Sequence, residues 1–315
     1  ALVRSPQPVL ILTPYFFVSQ TPQLRLALLL FVASGLCLAG LDGVGKLVLS
    51  ETGLLLLVWS RYVGHLLLSI PIAYAYAGPR FFVSARPGLQ LVRSLLMALT
   101  TLLFFAGLQW LPLAEASALA FTAPIWVALL SWRVLGESVA YSDKWIAAIG
   151  FSGVLLIVRP GTDVFHPAAL LVMAMALVNA VYQLLTRKLT QDSAFTTFFF
   201  SPLVGAVVSS VLLLDYGLPE SLSIKNMVLL ASTGILGGLG HLLITLSFYR
   251  APPASLIPFV YLQMIWAIVL GWLLFDQLPD AIALTGMAVI VSAGLWLILH
   301  RRRAMRASLG VSGRP

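Results

Sequence analysis

Ten stretches of about 20 mostly apolar residues follow one another along the chain, each long enough to cross the hydrocarbon core of a bilayer. They run near 26–48, 54–77, 92–111, 114–133, 144–159, 167–187, 195–214, 226–248, 254–275 and 281–299. The links between them are short and carry the breakers, among them Gly78-Pro79, Pro160-Gly161, Pro252-Pro253 and Pro279. No link is long enough to hold a soluble domain. Charge agrees with this reading: 10% of the 315 residues are Asp, Glu, Lys or Arg and 60% are hydrophobic, whereas a soluble domain is about 25% charged. So few charges cannot cover a water-facing surface, and the same numbers exclude disorder. Only helices and closed barrels satisfy their backbone inside lipid, and the alternating ten-residue period of a barrel is missing. The expected fold is an all-α membrane protein with ten transmembrane helices. Residues 1–25 form a tail, because the apolar run Val9–Val18 is too short to span and is broken by Pro14.

The net charge of +8 is an orientation signal. Five of the 19 basic residues, Arg301, Arg302, Arg303, Arg306 and Arg314, follow the last apolar stretch, where they mark a cytoplasmic end or touch anionic lipid. Nucleic acid is therefore not an expected partner. With the N-terminus inside, Arg4, Arg25, Arg80, Arg86, Arg93, Arg133, Lys144, Arg187, Lys188 and Arg250 also fall in cytoplasmic segments, against Arg159 and Lys225 outside. Both termini are expected in the cytoplasm, and the chain in the inner or plasma membrane. One cysteine, Cys37, excludes a disulfide framework, and Cys37 with four scattered histidines makes no zinc cluster. No phosphate-binding Gly-x-x-x-x-Gly-Lys-[Ser/Thr] loop is present. No cofactor and no metal are expected.

The chain also repeats. Residues 91–160 laid on 231–300 match at thirteen of 70 positions. The content says more than the count: Pro112 falls on Pro252, Ala114 on Ala254, Ile125-Trp126 on Ile265-Trp266 and Trp132 on Trp272. A unit of five helices is odd, so a second copy must insert in the opposite sense. Inverted repeats are typical of secondary transporters, with the site near mid-membrane at the repeat interface.

The first unit reads Ala114-Glu115-Ala116-Ser117-Ala118-Leu119, then Pro124-Ile125-Trp126, then Leu135-Gly136-Glu137. This resembles the EamA family of the drug/metabolite transporter superfamily, in which a helix of small residues with a mid-helix proline ends in a Leu-Gly-Glu turn. Asp42 and Lys46 in the first helix and Arg61 in the second are similar to one branch of that family. In the second unit Asp276-Gln277 stands where Gly-Glu would be. The resemblance implies units at 26–160 and 161–299, a basic tail at 300–315, and alternating access around a central cavity. It implies transport of small organic solutes, with amino-acid export as the first reading and carriage of S-adenosylmethionine, nucleotide-like metabolites or cationic drugs as the alternative.

Charges inside an apolar span need a partner, water or a task. Asp42 and Lys46 are four apart and share a helix face, as do Arg61 and His65. They either neutralise one another and lock two helices, or hold a zwitterionic or anionic solute, or pass a proton. Lys46 and Arg61 also lie near outer helix ends, where they can snorkel. His241 sits mid-helix beside Gly234, Gly237, Gly238 and Gly240, and reads as a proton carrier, a solute contact or a packing residue. Asn179, Tyr182, Gln183, Tyr261 and Gln263 are polar groups that either tie helices together or line a solute site. Trp126 and Trp266 lie too deep for an interfacial belt and either pack or line the cavity. Pro124 and Pro258 are expected mid-helix as bend points. Glu115 suits a first helical turn. The expected partners are a small-molecule substrate, the lipid bilayer and, as a coupling ion, the proton.

Two other classes are weighed. Gly150-Phe151-Ser152-Gly153 matches the short motif of intramembrane serine proteases, with His241 as the base. The match is weak in a chain this rich in Gly and Ser, and Ser152 falls on Ser292 under the repeat. A channel would need a ring of acids or a carbonyl filter, and neither motif occurs.

Overall fold

The computed structural model describes residues 22–136, 140–216 and 221–308. Expectations placed on Arg4, the Val9–Val18 run, Glu137 and Arg314, and on the side chains of Arg302, Arg303 and Arg306, lie outside the described residues. The described elements are helices α1 (Pro22–Thr52), α2 (Leu54–Ala77), α3 (Pro87–Leu108), α4 (Leu113–Ala120), α5 (Ala123–Leu135), α6 (Tyr141–Val158), α7 (Ala169–Thr186), α8 (Ala194–Tyr216), α9 (Ile224–Arg250), α10 (Pro253–Leu256), a 3-10 segment (Ile257–Tyr261), α11 (Leu262–Phe275) and α12 (Ala281–Ser308). No strand occurs among the described residues. They make ten spans long and apolar enough to cross a membrane, with α4 and α5 forming one span and the 3-10 segment and α11 another. Large apolar side chains such as Leu29, Leu67, Leu95, Leu170, Val211 and Leu273 stay exposed on the spans. In water they would be a liability, but in a bilayer they are the surface.

Two of the expected spans are broken. Helix stops at Ala120 and restarts at Ala123, and Pro124 lies in the first turn of α5. Pro258 lies inside the 3-10 segment. The two prolines therefore do not kink continuous helices, as expected from the sequence, but sit where a missing N–H costs no helical bond. Phe121 and Tyr261, which correspond under the repeat, stand at the two breaks, and their rings pack 5.9 Å apart. The last span also corrects expectation, because helix runs on through 300–308.

The ends of α5 and α11 explain a sequence mismatch. Gly136 caps α5 in the left-handed region at φ 74°. Asp276 holds the corresponding place after α11 and takes the same conformation at φ 53°. Asp tolerates this region better than most residues with a Cβ, so the turn survives the loss of its glycine.

Packing follows the half-to-half correspondence, which sends α1 to α7, α2 to α8, α3 to α9, α5 to α11 and α6 to α12. The contact of α1 with α9 has its mate in α7 with α3, that of α2 with α9 in α8 with α3, and that of α1 with α11 in α7 with α5. The pairs α2–α8 and α6–α12 are their own mates. Glycines set how closely these helices approach. A Cβ on Gly64 would lie 2.8 Å from the Gly234 Cα, and one on Gly153 would lie 2.7 Å from the Gly286 carbonyl oxygen. At each end of α6, an ion pair fastens α12: Arg159 with Asp280, and Arg301 with Asp143 at 3.0 Å.

Candidate functional site

The polar interior begins on α2. Arg61 and Tyr62 are buried, and both reach α3: Arg61 donates to the Thr101 hydroxyl, and the Tyr62 hydroxyl donates to the Met97 carbonyl at 2.7 Å. The Arg61 Nε is buried with no described acceptor. One turn on, the buried His65 ring stacks on His241 of α9 at 5.2 Å and 9° between planes. The Nε2 of His65 has no described partner. Asp42 of α1 is half-buried, forms no described hydrogen bond or ion pair, and has Arg61 as the charge acting on it. The Asp42–Lys46 pair weighed from their spacing does not form.

Lys46 turns instead toward the end of the bundle where α3 passes into α4. Its Nζ donates to the Leu111 carbonyl between α3 and α4, lies 3.4 Å from the Gln277 Oε1 and sits 5.1 Å over the Phe275 ring. A main-chain oxygen, one side-chain amide and an aromatic face surround the ammonium. Glu115 stands in the first turn of α4, half-buried, within electrostatic reach of Lys46, Arg159 and Asp280. The hydrogen bond from Arg159, with the backbone N–H of Ala283 at 2.8 Å, holds the Asp280 carboxyl below its ordinary value.

Sequence reasoning missed Arg93, which it placed in a cytoplasmic segment as an orientation charge. In the structure Arg93 is 3% exposed inside α3. Its Nε donates to Thr186, its Nη2 to the Tyr182 hydroxyl at 2.8 Å and to Ser201 at 2.9 Å, and its Nη1 only to the Thr197 carbonyl at 3.5 Å. The guanidinium also lies 4.7 Å over the Tyr182 ring. No described acid pairs with it. The signal was present in α3, whose buried face carries Gln90, Arg93, Ser94, Met97 and Thr101. In a lipid-facing helix a polar stripe at i, i+3, i+4 and i+11 marks the inward side, the reverse of a soluble helix.

The remaining candidates separate. Tyr182 belongs to the central cluster through Arg93. Asn179 on α7 is half-buried, and Gln183 is exposed; neither side chain makes a described hydrogen bond. Gln263 lines a small cavity with Phe31, Ser34, Gly35, Leu38 and Ile244. The buried Tyr261 hydroxyl points at Gly294 of α12 without an acceptor. Trp126 packs edge-on against Phe151 at 4.9 Å, and the indole N–H groups of Trp126 and Trp266 are both buried without a described acceptor. Trp132 and Trp272 are each 52% exposed near helix ends, as a belt requires. The glycines of α9 serve close packing: Gly237 faces Leu41 and Arg61, and Gly238 faces His65. Ser152 donates to its own helix at Ile149, while His241 stacks on His65, so the protease motif assembles no nucleophile and base.

The half-to-half correspondence orders the cluster. An offset of 140, which lays 91–160 on 231–300, puts Asp42 on Tyr182, Arg61 on Ser201 and Thr101 on His241. Each half thus brings the same three positions to the interior, filled with different chemistry.

Comparison with known proteins agrees with this picture. The chain is 25% identical over 263 residues to an S-adenosylmethionine uptake transporter of Rickettsia bellii, covering 79% of this chain and 90% of that protein. It is 30% identical to a riboflavin transporter of Rhizobium johnstonii over 70% of this chain and 73% of that one. It is 29% identical to a pseudopaline exporter of Pseudomonas aeruginosa over 64% and 72%. A solved crystal structure shares the fold at a TM-score of 0.60 and 19% identity, covering 91% of this chain and 98% of that one. These relatives are small-molecule transporters of one superfamily and not enzymes. The profile of the EamA-like transporter family matches twice, at residues 25–159 and 166–299. Ten spans, two matched units and a polar centre shared between them have one common account: the chain belongs to the EamA-like transporter family.

Proposed function

We propose that this transporter carries a small metabolite with an amino-acid head through the centre of the bundle by alternating access between two oppositely inserted halves. One observation carries the reading. Asp42 and Arg61 lie within electrostatic reach of each other, and neither is closed into a described ion pair. A carboxylate and a guanidinium held apart in this way match the ammonium and carboxylate of an amino-acid head. His241, Tyr182 and Thr101 supply neutral hydrogen-bonding groups around them, and the indoles of Trp126 and Trp266 offer two donors without acceptors.

Free amino acids and S-adenosylmethionine share that head, and the S-adenosylmethionine relative supports including it. The excess of Lys and Arg in alternate links supports cytoplasmic termini and an inner or plasma membrane. Where protons couple to transport, Asp42 is the carrier rather than His241. A charged His241 would be a third cation beside Arg61 and Arg93.

The test is uptake into proteoliposomes of labelled amino acids, S-adenosylmethionine, a nucleoside and an organic cation, with and without a pH gradient. Asp42→Asn and Arg61→Gln are expected to lower the flux of amino-acid-headed solutes at least about tenfold, by removing one buried charged contact. His241→Ala lowers flux without abolishing the gradient effect. Flux confined to the nucleoside or the cation would refute the head-group reading.

A further inference from the structure

The charges of the interior do not balance. Elsewhere among the described residues, buried or half-buried charges mostly have an opposite charge at hand: Asp143 with Arg301, Arg159 with Asp280, Lys46 with Glu115, Asp192 with Arg86 and Asp42 with Arg61, while the half-buried Arg250 at the end of α9 bonds its own helix at Leu246. Arg93 has none. It is held by four neutral acceptors, and its Nη1 makes only the 3.5 Å contact with Thr197. A guanidinium without a counter-charge inside a membrane is expensive, so it persists where something else completes it.

The surroundings show what that is. Both Arg61 and Arg93 lie within electrostatic reach of the His241 ring. Ser201, which Arg93 holds at 2.9 Å, is on α8, the helix packed against the α2 that carries Arg61. The two guanidiniums thus both lie near His241, and both keep donor capacity: the Arg61 Nε has no described acceptor, and the Arg93 Nη1 has a weak one. Asp42 can answer one of the two positive charges. A neutral zwitterion adds no net charge and would leave the other unanswered.

We propose that Arg93 is a specificity-determining residue of the transport site, which binds a second acidic group on the solute, so that the preferred cargo is an amino acid or amino-acid conjugate bearing an additional carboxylate. The inference rests on the assignment of the amino-acid head to Asp42 and Arg61. The head sits there, and the extra carboxylate reaches past His241 to Arg93. Two planar forks suit carboxylates better than ammonium groups would.

L-glutamate and L-glutamine make the comparison, since they match in size and differ in this one group. Uptake of each, labelled, into proteoliposomes of the wild type is expected to favour glutamate about tenfold in kcat/KM, the scale of one charged hydrogen-bonded contact. In Arg93→Gln the ratio is expected to fall to within about twofold of one, and in Arg93→Lys to stay between the two values. Arg93 also ties α3 to α7 and α8, so R93Q can fail to fold; the wild-type ratio and R93K then decide. Equal rates for the two amino acids in the wild type overturn this inference and leave the head-group reading standing. Carriage of S-adenosylmethionine with no flux of either amino acid does the same. No flux of any amino-acid-headed solute overturns both.

Discussion

The crossing of α2 and α9 offers a quantitative test of how the bundle is held. Gly64 and Gly234 meet there backbone to backbone. A Cβ on Gly234 would lie 2.7 Å from the Gly64 Cα and 2.9 Å from the Ser60 carbonyl oxygen, whereas carbon atoms pack at about 3.5–4.0 Å. Neither obstacle is a side chain, so no rotamer change relieves the clash. In Gly234→Ala the helices must part by about 1 Å. Overpacking of this kind costs about 1–3 kcal/mol. Parting the helices also stretches the bond from the Ser60 hydroxyl to the Leu230 carbonyl, now 2.7 Å, and a hydrogen bond between membrane helices contributes about 0.6 kcal/mol. The expected loss is about 2–4 kcal/mol. Equilibrium unfolding in mixed micelles measures it, with Gly88→Ala as the control, because a Cβ there meets nothing within 4 Å. Flux should fall as well, since Gly238, one turn along α9, packs on His65. A G234A protein within about 0.5 kcal/mol of the control, the range of a featureless surface change, would refute the claim that this contact sets the helix spacing.

Three further outcomes are expected. Asp143→Asn should destabilise more than Asp280→Asn in the same unfolding assay. Asp143 is 2% exposed and takes two donors from Arg301; breaking a buried pair costs about 3–5 kcal/mol, less here because Arg301 is partly exposed. Gly136→Val should cost about 1–2 kcal/mol through its backbone alone, since φ is 74° and a Cβ there meets nothing within 4 Å. Gly136→Asp should cost less, as Asp276 does in the other half, and thermal melts separate the two. Asp192, in the link between α7 and α8, accepts from the Ala85 N–H at 2.7 Å, Gln90 at 2.8 Å and Ser84 at 2.5 Å. Partial burial works to raise its carboxyl, but these donors and Arg86 outweigh it and hold it below its ordinary value. A lowered carboxylate stabilises fully above its unfolded value of about 3.9 and loses that contribution as pH falls through the folded one. The acid limb of the melting-temperature profile should therefore flatten in Asp192→Ala, and an unchanged limb would remove Asp192 from the account.

How much of this was legible in the sequence depends on what each feature leaves in the chain. The spans were legible because a bilayer demands a contiguous apolar run, and the expected ranges fall on the observed helices within a few residues. The helix breaks were only half legible. Pro124 and Pro258 pointed to the right spans, but proline marks a place where a helix can begin as readily as one where it bends. The better mark was the pair Phe121 and Tyr261, which the repeat aligns and the structure brings together. The partners of Lys46 were not legible, although its place near a helix end was. Its main acceptor is the carbonyl of Leu111, 65 residues away, and a main-chain oxygen has no residue type.

Arg93 was misread for a reason that reaches beyond this residue. Six residues into α3, a basic side chain satisfies the orientation rule whether it turns outward to headgroups or inward to Tyr182, and position along the chain cannot separate the two. The face can. Gln90, Ser94 and Thr101 share it and are buried with Arg93, while Leu91, Val92 and Leu95 between them are exposed. A headgroup contact would have placed Arg93 with the leucines. In a helix whose exterior is lipid, polar residues that keep a 3.6-residue period trace the inside. That trace on α3 leads from Gln90, which donates to Asp192, through Arg93 and Ser94, to Thr101, where Arg61 begins. The polar interior of the bundle is therefore written on α3, and the charge that counted as topology is the one on which the proposed acidic-group contact rests.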